Sequence, residues 1–150
     1  MIKNILLGAD FSPKSKVAFQ YALELQNKYG AVLSVLNVNE DFLSKDEMIM
    51  SRVSIEDVKK NNEEMALSAK KQFEQVLSEL KINNLDRLQM FQREGVASEE
   101  IIEYSENNNI DLIVIGSNGR SAIEELFLGS TAKKVINKSR VPVLVVPLSD

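Results

Sequence analysis

Gly116-Ser117-Asn118-Gly119 is followed, after nine residues, by Gly129-Ser130-Thr131, so three of the six glycines in the chain fall in one short segment. Residues of these types, so placed, can hold a phosphate without a dedicated cation. A glycine directly after a strand lets the main chain come close to a ligand. A helix that opens on Gly-Ser-Thr offers free N–H groups, two hydroxyls and the positive end of its dipole to an anion. Either cluster alone also has a plain use, as a tight turn or a helix cap. The two together, at the carboxyl ends of parallel strands, point to a nucleotide. Two familiar phosphate motifs are absent: the segment is neither G-x-x-x-x-G-K-[ST] nor G-x-G-x-x-G, which argues against a P-loop motor and a dinucleotide dehydrogenase.

Other chemistries are narrowed by what the chain lacks. It has no cysteine and no histidine, so thiolate chemistry, disulfides and a Ser-His-Asp triad cannot be built, and acid–base work falls to carboxylates, Lys and Tyr. Glu124-Glu125 stands between the glycine clusters, where it would oppose phosphate or help hold a divalent cation. Solvated carboxylates on a short turn are the simpler expectation. Arg120, Lys133 and Lys134 are the basic groups able to offset them. The formal net charge of −4 provides no basic surface for duplex nucleic acid. Met1–Gly8 is too short an apolar run for a signal peptide, and no stretch approaches the ~20 apolar residues that span a bilayer. A cytoplasmic protein without membrane insertion is expected.

The elements that must carry these residues alternate in type. Asn4–Gly8 reads as a buried strand, and Ser12-Pro13 as a helix start with Ser as cap. Val17, Ala18, Tyr21, Ala22 and Leu25 then form an apolar stripe that Gly30 ends. Val32–Val38 is a second strand, and the polar run Asn39–Val53 a loop. Ser54, with Asp57 three residues on, caps a long helix through Val58, Met65, Ala69, Phe73, Val76 and Leu80. Leu88–Arg93 is a third strand, Ser98-Glu99-Glu100 opens a helix, and Asp111–Ile115 is a fully buried fourth strand. A last helix begins near Gly129, and Val141–Pro147 closes the chain as a strand. Five strands separated by helices predict an α/β fold: one doubly wound, five-stranded parallel sheet with helices on both faces, in a single domain over residues 1–150. Ligands in such sheets bind beyond the carboxyl ends of the strands, where strand order reverses. That rule selects Gly8–Ser12, Val38–Asn39 and Gly116–Thr131.

At this point the chain resembles a known family. Gly116-x2-Gly119-x9-Gly129-Ser130 matches the G-x2-G-x9-G-[ST] signature of the ATP-binding universal stress proteins. The likeness extends through Ile5–Ser12, Tyr21–Leu25, Glu99–Tyr104, Lys133-Lys134-Val135 and Pro142–Val146, leaving only Asn39 to about Lys60 without a counterpart. The resemblance implies a Rossmann-like five-stranded parallel sheet in a homodimer paired through its last strand. It also implies that Asp10 lies at the adenosine end of the ligand and that Val38 offers main-chain hydrogen bonds to adenine. Gly116, Gly119, Gly129, Ser130 and Thr131 would line the ribose and phosphates. One departure is Phe11, where many relatives have Gly, which predicts a stiffer first loop and a tighter pocket.

The function so implied is that of a stress or energy-state sensor that binds ATP, with or without Mg²⁺, and acts on a regulatory partner. Without an evident general base or arginine finger, hydrolysis is expected to be slow or absent. Two alternatives remain. One is an ATP-dependent enzyme on the same fold, against which the glycine-free loop Asp10–Ser15 counts. The other is a protein-binding scaffold that needs no nucleotide, against which the retained glycine signature counts. Independently of the family, an exposed final strand Val143–Val146 would be a pairing hazard unless a second copy covered it two-fold.

Overall fold

The computed structural model describes residues 1–40, 50, 52, 54–117 and 128–147. Its elements run in the order β1 (Asn4–Gly8), a 3₁₀ turn (Pro13–Ser15), α1 (Lys16–Tyr29), β2 (Val32–Asn39), α2 (Ile55–Glu79), β3 (Leu88–Glu94), α3 (Ala97–Asn107), β4 (Leu112–Gly116), α4 (Ser130–Lys138) and β5 (Val143–Val146). The strands form one parallel sheet in the order β3-β2-β1-β4-β5. The predicted fold class is the one observed. Among the described residues, no helix is long and apolar enough to cross a membrane.

Alternation along the strands divides the core between the two faces of the sheet. Ile5, Leu7, Leu33, Val35 and Val114 meet Ala18, Phe19 and Ala22 of α1 and Ala69, Val76 and Leu77 of α2. Leu6, Leu36, Ile113 and Ile115 meet Ile101 and Tyr104 of α3 and Ala132 and Val135 of α4. Central strands apolar on both faces are what a sheet covered on both sides requires. Each fully buried Leu or Ile contributes about 1.5–3 kcal/mol relative to exposure, so β1, with three consecutive buried residues, anchors both layers.

Apart from strand ends of β3, β4 and β5 that shift by one or two residues, local structure departs from the expected pattern in four places. On α1 the buried positions are Ala18, Phe19, Ala22 and Gln26, whereas Val17 and Tyr21 are 38% and 51% exposed. The stripe is thus rotated toward Phe19, whose ring meets that of Phe73 on α2 at 6.1 Å. Ser12 makes no side-chain cap; its carbonyl instead accepts from the N–H and hydroxyl of Ser15, shaping the 3₁₀ turn that delays α1 to Lys16. On α3 the capping position falls to Val96, which makes no side-chain bond. In its place Glu40 Oε1 accepts from the Ala97 N–H at 2.9 Å. Asn39, expected in a loop, is instead the buried last residue of β2; residues 41–49, 51 and 53 of that loop lie outside the described residues. The Ser54 cap is present, its hydroxyl accepting from the Asp57 N–H at 3.1 Å.

Candidate functional site

The sheet order reverses between β1 and β4. The chain steps outward from β1 to β2 and β3, then crosses back to place β4 on the other side of β1. At such a point the loops leaving two adjacent parallel strands turn to opposite faces and leave a crevice between them. The register fixes its floor: Gly8 is level with Leu36 of β2 and Ile115 of β4, and Gly116 with Val146 of β5. Gly8 keeps this end of the sheet tight, since a Cβ there would stand 2.9 Å from Ile101 Cδ1 of α3.

Asp10 follows β1 by two residues. Its Oδ1 accepts from the Ser12 N–H at 2.9 Å, an Asx turn that folds the carboxylate back onto its own loop. Between them Phe11 adopts φ 56°, the left-handed region that costs an L-residue about 1–2 kcal/mol. Burial offsets that cost: Phe11 is 8% exposed and its ring lies 6.2 Å from that of Phe73. The ring thus pins the first loop to the core. The expected tightening of the pocket is not what the side chain does, because its ring belongs to the core between the sheet, α1 and α2.

Val38 is placed by the hydrogen-bond pattern of β2. In a parallel ladder, alternate residues direct their N–H and C=O to the same side. Val32 donates to Lys3 and Leu36 accepts from Ala9, on the β1 side; Leu33 donates to Arg87 and Asn39 accepts from Gly95, on the β3 side. Val38 shares the phase of Val32 and Leu36, so its main-chain groups face the β1 side, level with a point beyond the last residue of β1.

Across the crevice, β4 ends at Gly116, and the Ser117 N–H continues its ladder to the Val146 carbonyl at 2.8 Å. The Ser117 carbonyl accepts from the Gly129 N–H at 2.7 Å, joining the two ends of the connection that runs between them. Gly129, with φ −63° and ψ 160°, is the N-cap of α4. Ser130 and Thr131 occupy the first helical turn, Ser130 exposed and Thr131 half-buried. The first N–H groups of a helix have no partner within it, so this turn presents donors at the carboxyl end of β4. The structure thus brings Asp10, Val38, Gly116, Gly129, Ser130 and Thr131 to one end of the sheet. Gly119, with Asn118, Arg120 and Glu124-Glu125, lies outside the described residues.

Sequence reasoning missed Asn37 and Gln92, two amides level with each other on β2 and β3. Asn37 Nδ2 donates to the Ala9 carbonyl at 2.9 Å, its Oδ1 accepts from Gln92 Nε2 at 3.3 Å, and Gln92 Nε2 also donates to the Met65 carbonyl of α2 at 3.3 Å. A polar Asn37 inside the mostly apolar β2 was the signal available; Gln92, in the largely polar β3, carried none.

Comparison with known proteins adds independent findings. The model of the universal stress protein family matches residues 1–147. Universal stress protein MJ0577 of Methanocaldococcus jannaschii is 28% identical over 160 aligned residues, covering 97% of this chain and 95% of that protein. The solved structure of MJ0577 superposes with a TM-score of 0.77 over 97% of this chain and 96% of that one. A universal stress protein of Thermus aquaticus is 31% identical over 150 residues, covering 97% of this chain and 99% of the relative. A universal stress protein crystallised in complex with cAMP shares the fold, with a TM-score of 0.64 at 18% identity over 99% of this chain and 98% of that one.

Proposed function

The chain belongs to the universal stress protein family, and on that footing we propose that it binds ATP, with or without Mg²⁺, at the crevice between β1 and β4. It acts in the cytoplasm as a stress or energy-state sensor, and hydrolysis is slow or absent. The observation that carries the proposal is the convergence at the reversal of strand order. Main-chain groups of Val38 face the space beyond β1, while the first turn of α4 faces the end of β4. A ligand reaching from one to the other would have its base at Val38 and Asp10 and its phosphates at Gly116, Gly129, Ser130 and Thr131. Gly119 joins them through the signature spacing alone. Slow turnover is part of the same reading, supported by the lack of any histidine to serve as general base.

The same reading includes a homodimer. β5 is an edge of the sheet, and Val143, Leu144 and Val145 are only half-buried. A second copy pairing along this strand would cover them through a two-fold contact.

Gly116→Val tests the site directly. A branched side chain at the end of β4 should intrude on the phosphates, lowering ATP affinity by at least about tenfold, the equivalent of ~1.4 kcal/mol. Unchanged affinity in a folded variant would remove Gly116 from the site.

A further inference from the structure

We propose that Asn37 is a positioning residue: it sets the Ala9–Ser12 loop, and Gln92 sets Asn37. The ladder between β1 and β2 ends with the Ala9 N–H donating to Leu36. One step further, the Ala9 carbonyl would accept from the N–H of Val38 if the strands continued in register. It instead takes the Asn37 side chain at 2.9 Å. The substitution has two consequences. The main-chain N–H of Val38 is not used to close the ladder onto Ala9. The Ala9 carbonyl is also fixed in direction, and because the peptide unit is planar, this fixes the Ala9–Asp10 peptide and the point from which the Asp10 side chain departs.

The orientation of the two amides is determined by what lies at each end. Main-chain carbonyls only accept, so Ala9 requires the nitrogen of Asn37 and Met65 requires the nitrogen of Gln92. The remaining pair is then Gln92 Nε2 donating to Asn37 Oδ1, as found at 3.3 Å. Gln92 has two amide hydrogens, one for each acceptor. The 2.9 Å bond to Ala9 is the strong link, and the two at 3.3 Å orient it. Asn37 is 9% exposed, so a flipped amide would leave a buried carbonyl facing an oxygen. The chain of bonds starts on α2, crosses β3 and β2 at one level, and ends on the loop that carries Asp10.

The role in holding the loop stands on this geometry; its bearing on ligand rests on the nucleotide reading above. Two variants separate them. Asn37→Asp keeps the shape and the acceptor for Gln92 but loses the donor to Ala9. Gln92→Met removes the orienting partner without adding charge. Hydrogen exchange of the full chain without added nucleotide reads the loop. Asn37→Asp should lower protection at residues 10–12 by about tenfold, the scale of one buried hydrogen bond left unmade. Gln92→Met should lower it by a smaller factor. Protection of Leu6 and Leu7 within β1 should hold in both. Loop protection equal to that of the parent in both variants, or an equal loss throughout β1, would overturn the proposal. Calorimetric titration with ATP, ADP and AMP reads the ligand. Positioning at the adenosine end weakens all three by the same factor in each variant. Repulsion by the introduced carboxylate would instead weaken ATP most, and only in Asn37→Asp, which would overturn the positioning role toward nucleotide. If the parent chain binds none of the three, the nucleotide reading fails, while the exchange data still decide whether Asn37 holds the loop.

Discussion

The ring of Phe11 lies 6.2 Å from that of Phe73, tilted by 50°, and ties the first loop of the sheet to the C-terminal third of α2. Phe11 reaches that position from a left-handed backbone, φ 56°, so its side chain and its main chain act on stability in opposite directions.

This opposition predicts an unusual order of variants. Removing the buried ring in Phe11→Ala should destabilise the fold by about 3 kcal/mol. Phe11→Gly loses the same ring but relieves the left-handed strain, so it should be about 1 kcal/mol more stable than Phe11→Ala. In most contexts the glycine variant is the less stable of the two. Urea unfolding of both variants checks the order, and a glycine variant less stable than the alanine one would contradict the strain argument.

Ser54 supplies the cap of α2, a 25-residue helix with few fully buried positions. Ser54→Ala should cost about 1 kcal/mol, and Ser54→Asp should restore most of it. Thermal unfolding of the three proteins measures this directly.

At the opposite end of the sheet, Asp111 Oδ2 accepts from the main-chain N–H groups of Lys3 and Asn4 at 2.8 and 2.9 Å. These bonds, the Lys3 one first, hold the Asp111 carboxyl below its ordinary value of 3.8. A carboxyl depressed in the folded state stabilises the fold above its unfolded value and loses that contribution as pH falls through the folded one. Asp111→Asn should therefore lower the melting temperature at neutral pH and lose less stability than the parent below about pH 4. Parallel pH curves for the two proteins would contradict the role of this carboxylate.

The dimer reading has its own test in the hydrogen-bond phase of β5. Pro142 and Val146 accept from β4, so even-numbered residues face inward and Val145 directs its N–H outward. Val145→Pro removes that outward donor and spares the ladder to β4. Light scattering at micromolar concentration should give a dimer mass for the parent and a monomer mass for the variant. A monomeric parent would contradict pairing through this strand.

The architecture was legible because its signals are local. Asn4–Gly8, buried on both faces, could be placed to the residue and the other four strands to within two residues at either end, and the helix capped by Gly129 followed from Gly-Ser-Thr. The glycine clusters could be named for the same reason, whereas Asp10 came only from the family resemblance. Features that depend on distant partners were not legible. Gln26 looks like a solvent position on α1, yet its amide donates to the Arg87 carbonyl at 2.7 Å, 61 residues away. Pairing across that separation buries Gln26 and helps turn the helix so that Tyr21 faces outward. Asn37 and Gln92 were overlooked similarly: each is an ordinary polar residue until the parallel register places them side by side. Phe11 carried a partial signal, since the loss of glycine was visible but the destination of the ring was not.

The central claim is that the end of the sheet around Val38, Gly116 and Gly129 holds an adenine nucleotide. It is tested most directly by denaturing the purified protein and identifying what is released by chromatography and mass spectrometry, followed by titration of the emptied protein with ATP and Mg²⁺. The account predicts ATP released or rebound at about one per chain, with turnover far below the ~1–100 per second typical of kinases. A protein that releases no nucleotide and binds none at millimolar ATP would contradict it.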